Sequence, residues 1–379
     1  MKILFQISNI PPDYGGGYLR VFRMASRFKK NGWMYKIATY TQRDDYKESQ
    51  GITKNDICFL RNGLLSRFFE LPMKMLCNPG GYDVFYITSS HWFTVLPTIV
   101  AKIQRKIIIH GVTLSMSDSP ATYANTFWKT LYYKFKNSQF ILSDYIFVNS
   151  PLLVEECVNA GIKREKVKLV NNPVDTQIFH MVSIEKRKSL RKELGININW
   201  PTILFVGSIN KRKGCDLFPS IFEQLLSTSD FHVNFIMCGQ KGYPETDTIL
   251  NRLKCLFEEN GSKLIVKEEV KDTSIYYQVA DLFLFPTTNE GMPNVILEAM
   301  ASGCMILCNL LPGITDYALG KEFLVDENNT LEYVNRIMEY FSCPEKYSKL
   351  IKNNRTIIYD RFSIGSVDSY IYKLINCEY

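Results

Sequence analysis

The segment 282–303, LFLFPTTNEGMPNVILEAMASG, constrains the fold of this chain more than any other. Its apolar run 282–285 stops at a proline, and this pattern predicts a buried strand. A polar loop follows, and Pro293 then begins a helix that we expect to end at Gly303. The segment therefore predicts one strand–loop–helix unit of a parallel α/β sheet.

The same succession of elements recurs along the chain. Strand-like apolar runs occur at 2–8, 34–40, 83–88, 106–110, 202–206, 235–238, 264–266 and 305–308. Helical patterns alternate with these runs, and the alternation predicts doubly wound α/β sheets. The chain has 379 residues, too many for one ordinary hydrophobic core, so we expect two domains.

Two carboxylates stand around the helix start in segment 282–303. Glu298 is the only charged residue between Gly291 and Thr315, and Glu290 lies in the loop after the predicted strand. Open α/β sheets bind ligands at the carboxyl ends of their strands. Carboxylates accept hydrogen bonds from hydroxyls and a helix N-terminus attracts an anion, so a nucleotide sugar fits this pattern. The alternative is that Glu298 turns outward and is solvated.

The Glu-x7-Glu spacing within 290–303, EGMPNVILEAMASG, resembles the donor-site signature of retaining glycosyltransferases of family four, the glycosyl transferases group 1. The resemblance implies the GT-B fold, in which two Rossmann-like doubly wound α/β domains face a deep cleft. It implies an N-terminal acceptor-binding domain at 1–180 and a C-terminal nucleotide-sugar donor-binding domain at 181–364. The C-terminal helix, 365–379, is then expected to pack back on the first domain.

A basic loop after the strand 202–206 predicts an anion site. Its residues 207–214, GSINKRKG, place three consecutive cations between glycines. In the resembling family an arginine follows the first glycine and a lysine precedes the second. Here Ser208 replaces that arginine, whereas Lys213 matches the lysine, and we hypothesise that Arg212 supplies the missing guanidinium. The alternative is a set of solvated loop cations.

A glycine-rich loop, 11–17 (PPDYGGG), follows the first predicted strand and precedes a helical pattern. It lacks the GxGxxG spacing of dinucleotide-binding folds, so we disfavour NAD or FAD as a ligand. Glycines still let the backbone approach a phosphate or sugar closely at a helix N-terminus. By the resemblance, Gly15 and Gly16 line the cleft between the domains, and a tight turn without a ligand is the alternative.

Two histidines are candidates for the first domain's part of the site. His110 ends the run KIIIH, which predicts a place at the carboxyl end of a strand, and His91 follows the strand 83–88. The resemblance implies that His110 contacts the transferred sugar or the acceptor. His91 matches a less specific family position, and a structural hydrogen-bonding role is the alternative for either residue.

The resemblance also assigns roles within the site. Glu298 would accept the ribose hydroxyls, Glu290 would face the sugar hydroxyls, and the cations would stabilise the diphosphate leaving group. The catalytic residues are then His110, Glu290, Arg212 and Lys213. The donor-binding residues are Gly15, Gly16, Gly207, Arg212, Lys213, Gly239, Glu290, Gly291, Met292, Pro293, Asn294 and Glu298. No cofactor is expected, and because the sequence shows no DxD-like acidic pair, no essential metal is expected either.

The composition bounds the partners and the compartment. The apolar content of 46% and the charged content of 22% are those of globular proteins. The net charge of +7 favours phosphorylated or membrane-surface partners and does not call for nucleic acid. Ten scattered cysteines without a CxxC pair, together with the lack of a signal-peptide pattern, predict a reduced, cytoplasmic protein.

Two segments indicate peripheral contact with a membrane, at its inner face. The segments 61–75 (RNGLLSRFFELPMKM) and 126–140 (TFWKTLYYKFKNSQF) mix Lys and Arg with large apolar residues. Basic amphipathic helices of this kind lie in anionic interfaces. Packed helices with solvated basic side chains are the alternative. A third basic run, 185–196 (EKRKSLRKELGI), predicts a solvated helix rather than a nucleic-acid patch.

The resemblance therefore implies a retaining glycosyltransferase that uses a UDP- or GDP-linked sugar donor. The resemblance implies a saccharide or lipid-linked saccharide acceptor, in the synthesis of a surface polysaccharide or glycolipid. Two alternatives stay open: a nucleotide-sugar epimerase or hydrolase of the same fold, and a degenerate, non-catalytic scaffold at a membrane surface.

Overall fold

The computed structural model divides into two compact units, Met1–Asn171 with Leu374–Tyr379, and Asn172–Lys373. The sequence prediction places the corresponding boundaries at 180 and 364. The structure describes residues 1–8, 10, 16–41, 44, 46–49, 51–88, 90–113, 120, 126–227, 231–241, 243–268, 270, 272–288, 290, 292–310, 324–326 and 329–376.

The first unit contains a seven-stranded parallel sheet in the order β3-β2-β1-β4-β5-β6-β7. Its strands are β1 Lys2–Gln6, β2 Met34–Thr39, β3 Ile57–Phe59, β4 Val84–Ile87, β5 Ile107–Val112, β6 Tyr145–Val148 and β7 Val167–Leu169. Its helices are α1 Gly16–Lys30, α2 Leu64–Cys77, α3 Val95–Ile103, α4 Phe127–Leu142 and α5 Pro151–Asn159. Strands β4, β5 and β6 are buried along their whole length, as central parallel strands covered on both faces must be.

The second unit contains a six-stranded parallel sheet in the order β10-β9-β8-β11-β12-β13. Its strands are β8 Thr202–Val206, β9 Asn234–Cys238, β10 Lys263–Lys267, β11 Leu282–Phe285, β12 Met305–Asn309 and β13 Leu324–Val325. Its helices are α6 Ile184–Glu193, α7 Phe218–Leu226, α8 Thr246–Asn260, α9 Ser274–Val279, α10 Asn294–Ala301, α11 Thr330–Ser342 and α12 Ser348–Ile357.

The last helix, α13 Ile364–Asn376, begins in the second unit and ends in the first. Its residue Leu374 is held there by the Tyr145 hydroxyl, which donates a hydrogen bond to the Leu374 carbonyl at 3.2 Å. No helix in the described part of the chain is long and apolar enough to cross a membrane.

The predicted doubly wound α/β architecture is confirmed, and β8 and β11 have the predicted bounds. Two local predictions are wrong. Gly16, predicted in a loop, is the first residue of α1. His110, predicted at a strand end, lies inside β5, because Gly111 and Val112 continue the pairing with β6.

The prediction of a solvated basic helix at 185–196 is also wrong in part. Arg191 of α6 is 7% exposed, and its guanidinium donates to the Val279 carbonyl and, at 2.7 Å, to the Asp281 carboxylate. Arg187 donates to the carbonyls of Gln278 and Ala280. The last carbonyls of a helix have no partner within it, and the two arginines supply the donors that the end of α9 needs.

Candidate active site

Two glycines bring the loops at the carboxyl edge of the second sheet into direct contact. Gly214 ends the loop after β8 with a φ of +72°, and a Cβ at this position would lie 1.9 Å from the carbonyl oxygen of Pro286. A Cβ on Gly239, directly after β9, would lie 1.7 Å from the carbonyl oxygen of Gly207. Since any side chain would separate these backbones, only glycine permits the loops after β8, β9 and β11 to meet.

Hydrogen bonds hold the basic loop, residues 207–214, against the loop that carries Glu290. The Arg212 carbonyl accepts from the Thr288 amide at 3.0 Å and from the hydroxyls of Thr287 and Thr288, each at 3.2 Å. The Asn210 side chain accepts from the Lys213 amide at 3.0 Å and caps the short helical turn Lys211–Lys213. The cations are thus presented on a fixed backbone.

Glu290 pairs directly with two of the three cations of this loop, Arg212 and Lys213. Its carboxylate accepts from the Arg212 guanidinium at 3.1 Å and from the Lys213 ammonium. Thr287 donates to the same carboxylate oxygen at 3.4 Å. The side chains of Lys213 and Glu290 are only 14% and 15% exposed, and the Lys213 ammonium lies 5.1 Å from the centre of the Phe285 ring. The predicted sugar-binding acid and the predicted phosphate-binding cations therefore form one cluster.

Glu298 lies on α10 and is 9% exposed, so the alternative of an outward, solvated carboxylate is wrong. The hydroxyl of Tyr277, on α9, donates to Glu298 Oε2 at 3.2 Å. Tyr277 is fully buried between the rings of Phe179 and Phe283. Burial and the nearby Glu298 charge raise the pKa of Tyr277 well above its usual value, which keeps the hydroxyl protonated as a donor.

The start of α10 holds three more of the predicted donor-binding residues. Pro293 precedes the first helical residue, Asn294, whose side-chain oxygen is buried without a hydrogen-bond partner among the described residues. The Met292 carbonyl accepts from the Asn172 side-chain amide at 3.2 Å. The amide groups of a helix's first turn have no intrahelical acceptor, and α10 begins directly after the loop that carries Glu290. Gly291 lies outside the described residues.

His110, in the first unit, is fully buried. Its ring lies 4.4 Å from that of Phe140, and neither ring nitrogen has a hydrogen-bond partner among the described residues. Burial, with the charges of Lys136 and His91, lowers the pKa of His110 to about 3, so the imidazole is neutral near pH 7. Buried polar atoms without partners are uncommon in proteins and point to a functional or strained position.

The other candidates in the first unit are His91, Gly15 and Gly16. His91 stacks on Phe93 with ring centres 4.8 Å apart and precedes the short helical turn Trp92–Thr94. Burial, with the charges of Lys136 and Arg67, lowers the pKa of His91 as well. Gly15 lies outside the described residues, and Gly16 begins α1.

Sequence reasoning missed two side chains that position these candidates. Tyr277 holds Glu298, but nothing in the run SIYYQV distinguishes it from a core aromatic residue. Gln139 of α4 is buried, accepts from the Thr94 hydroxyl at 2.6 Å and donates to the His91 carbonyl at 3.2 Å. The only sequence signal for Gln139 is that a polar residue occupies a buried position of the helix. Among the described residues, no three His, Cys, Asp or Glu side chains form a group that could hold a metal ion.

Comparisons with known proteins bear on what this geometry is for. Residues 186–357 match the family model of glycosyl transferases group 1. The alpha-galactosylglucosyldiacylglycerol synthase of Streptococcus pneumoniae is 31% identical over 166 residues, which is 43% of this chain and 43% of that enzyme. The processive diacylglycerol alpha-glucosyltransferase of Acholeplasma laidlawii is 23% identical over 292 residues, 74% of this chain and 81% of the relative. The alignment with the Streptococcus pneumoniae enzyme thus spans less than half of that enzyme.

Solved structures show the fold. The structure of Anabaena Alr3699/HepE in complex with UDP superposes with a TM-score of 0.79 at 17% identity and covers 100% of both chains. The lipopolysaccharide glycosyltransferase WaaG gives a TM-score of 0.69 at 14% identity over 97% of this chain and 98% of that chain. The chain therefore has the GT-B fold, and its residues 186–357 match the family of glycosyl transferases group 1.

Proposed function

We propose that this protein is a retaining glycosyltransferase that moves a sugar from a nucleoside diphosphate to a saccharide or lipid-linked saccharide. The observation that carries the proposal is the cluster of Arg212, Lys213 and Glu290 beside the start of α10, with Glu298 buried on the same helix. The names of the two relatives, which both refer to diacylglycerol, support a product that is a glycolipid.

The donor is proposed to be a UDP-linked sugar. HepE was solved with UDP and with UDP-glucose, and it superposes on the full length of this chain. The ribose of a nucleotide presents two neighbouring hydroxyls, and a buried carboxylate such as Glu298 can accept a hydrogen bond from each. A GDP-linked sugar offers the same ribose and diphosphate, so the base is an outcome of the test.

In the proposed reaction the bond between the anomeric carbon and the phosphate oxygen breaks. A bond from the acceptor oxygen to the same carbon forms, with retention of configuration, and the proton of the acceptor hydroxyl passes to the departing diphosphate. Negative charge builds on the departing diphosphate as the bond breaks. Fixed donors that face this charge lower the barrier, and Lys213, Arg212 and the first-turn amides of α10 supply them.

Glu290 and His110 are assigned to the transferred sugar. When a diphosphate engages Arg212 and Lys213, the Glu290 carboxylate loses these two partners and turns to the sugar hydroxyls. The neutral imidazole of His110 offers one donor and one acceptor nitrogen, whose partners are a sugar or acceptor hydroxyl.

We further propose that the reaction requires no divalent metal, because Arg212 and Lys213 bring two positive charges to the diphosphate. Full transfer activity after treatment with EDTA supports this, and activity restored only by added magnesium or manganese contradicts it. The site of action is proposed to be the cytoplasmic face of a membrane, where a lipid-linked acceptor is presented.

A thermal-shift screen of UDP-, GDP- and ADP-linked sugars tests the proposed function. A donor at one hundred times its dissociation constant stabilises the folded protein by about 2.7 kcal/mol. We expect the UDP-linked sugars to raise the melting temperature and the transfer reaction to need an acceptor. Donor consumption without an acceptor would instead indicate an epimerase or hydrolase, and no shift with any nucleotide would indicate a scaffold.

A further inference from the structure

Helix α4 of the first unit exposes large apolar side chains on its first two turns. Phe127 and Trp128 are 74% and 76% exposed, and Leu131, Tyr132 and Phe135 are also exposed. Residues 127, 131 and 135 recur at every fourth position, so they share one face of the helix. An exposed cluster of aromatic side chains of this size marks an interaction surface.

The buried residues of α4 show that this exposure is not ordinary amphipathicity. A surface helix normally turns its apolar residues to the core and its charged residues to water. In α4 the buried residues are Lys136, Gln139 and Phe140, two of them polar. Helix α4 thus buries two polar side chains in its second half and exposes aromatic side chains in its first half, and such exposed aromatic side chains are typical of a helix that faces an apolar medium.

The apolar face continues onto the neighbouring helices. Helix α3 contacts both α2 and α4. On α2 the side chains of Leu65, Phe69, Met73 and Leu76 are 49% to 73% exposed. They follow at intervals of four, four and three residues, so they too form one stripe. Together α2, α3 and α4 hold more than half of the large exposed apolar side chains among the described residues.

The charges on these three helices indicate what kind of partner binds their exposed apolar face. Apart from the buried Lys136, the helices carry five cations, Arg67, Lys74, Lys102, Lys129 and Lys134, and one acid, Glu70. A symmetric dimer through this face would bring the cations of one copy against those of the other, which disfavours a second copy. Apolar and aromatic side chains mixed with cations are complementary to an anionic lipid surface.

We propose that the face formed by α2, α3 and α4 binds an anionic lipid bilayer, with Phe127 and Trp128 inserted between the headgroups. This inference deepens the proposed function, because it rests on an acceptor that is held at a membrane surface. Binding to lipid needs neither donor nor acceptor, so its failure can be told apart from a failure of the glycosyltransferase assignment.

Vesicle co-sedimentation of the full chain tests the proposal. We expect the wild-type protein to sediment with vesicles of phosphatidylcholine and phosphatidylglycerol, and the double variant Phe127→Gln/Trp128→Gln to bind them at least about tenfold more weakly. The matched control is Leu331→Gln on α11 of the second unit, where Leu331 is 60% exposed, and we expect it to bind like the wild type. Equal melting curves by circular dichroism establish that the variants are folded.

A second readout follows the tryptophan itself. Lipids brominated in their acyl chains should quench part of the protein's fluorescence, and Trp128→Phe should remove that part of the quenching. Equal vesicle binding by the wild type and the double variant would overturn the proposal. So would a dimer in analytical ultracentrifugation that the double variant abolishes, or binding to an acidic protein with none to vesicles.

Discussion

Glu298 in the second unit and His110 in the first are both polar side chains buried among apolar elements, but their surroundings differ. Glu298 accepts a hydrogen bond from Tyr277, a residue of the same unit. His110 has no partner for either ring nitrogen among the described residues. The carboxylate is thus held in a fixed position by its own unit, whereas the imidazole keeps its donor and acceptor for a group that its unit does not supply. Nucleotide binding is therefore expected to depend on Glu298, and the transfer step on His110.

The largest expected effect concerns His110 and pH. Its pKa of about 3 lies below the usual value of 6.5, so between these values the unfolded chain binds a proton that the folded chain does not. Stability therefore falls as the pH drops below about 6.5, by up to about 1.4 kcal/mol per pH unit from this group. Urea unfolding of the wild type and His110→Leu at pH 7, 6 and 5 measures it. The variant should show the shallower decline, and equal slopes would refute the buried neutral imidazole.

Next in size is the effect of His110 on turnover. Because neither ring nitrogen has a partner among the described residues and a sugar or acceptor hydroxyl is the proposed one, His110→Leu should lower kcat about a hundredfold and change the affinity for UDP little. Initial rates and UDP titrations separate the two effects. His91→Leu is the matched control and should retain most of the turnover. If the loss follows His91 instead, the roles of the two histidines must be exchanged.

A smaller effect is expected where the carboxylate already has a partner. Glu298→Gln should weaken UDP binding by about thirtyfold, since a charged acceptor for the ribose hydroxyls is lost. Tyr277→Phe should weaken it about fivefold, because the carboxylate keeps its charge but loses the donor that orients it. Calorimetric titration with UDP measures both. Full UDP affinity in Glu298→Gln would make the carboxylate purely structural.

Glu290 offers the smallest and most discriminating change. In the structure its carboxylate forms ion pairs with Arg212 and Lys213, the cations proposed to hold the diphosphate. Glu290→Gln should therefore tighten UDP binding about threefold to fivefold while it slows sugar transfer. Measurements of UDP affinity and of kcat in the same variant test whether the first rises while the second falls. A variant that loses both UDP affinity and turnover would show that Glu290 organises the cations rather than competing for them.

The parts of the fold that the sequence predicts are those that depend on local pattern. Strands β8 and β11 are uninterrupted apolar runs between breakers, and their bounds were predictable. The extension of β5 beyond His110 was not, because pairing with Phe147 and Val148, far along the chain, decides it. The carbonyls at the end of α9 accept hydrogen bonds from Arg187 and Arg191, which lie about 90 residues earlier in the chain. The pattern of charged residues in the sequence cannot show which distant carbonyls an arginine contacts.

The candidate site also has parts that the sequence predicts and parts that it does not. Glu290, Glu298 and the basic loop follow from short spacings, and the structure brings Arg212, Lys213 and Glu290 together. Arg212 does lie at the cluster, as required if it is to replace the arginine that Ser208 displaces, and that replacement stays a prediction. Tyr277 could not be predicted, because its function depends on the distance between α9 and α10 rather than on its neighbours in sequence.

The central claim is that the loop of Arg212 and Lys213 binds the diphosphate of a nucleotide sugar. Calorimetric titration with UDP and with uridine, in the wild type, Lys213→Ala and Lys211→Ala, tests it most directly. Lys211 is the matched control, because it is exposed in the same turn and its amide is held by Glu245.

We expect UDP to bind the wild type and Lys211→Ala at least about a hundredfold more tightly than uridine, and this difference to shrink about tenfold or more in Lys213→Ala. An unchanged difference between UDP and uridine in Lys213→Ala would contradict the account.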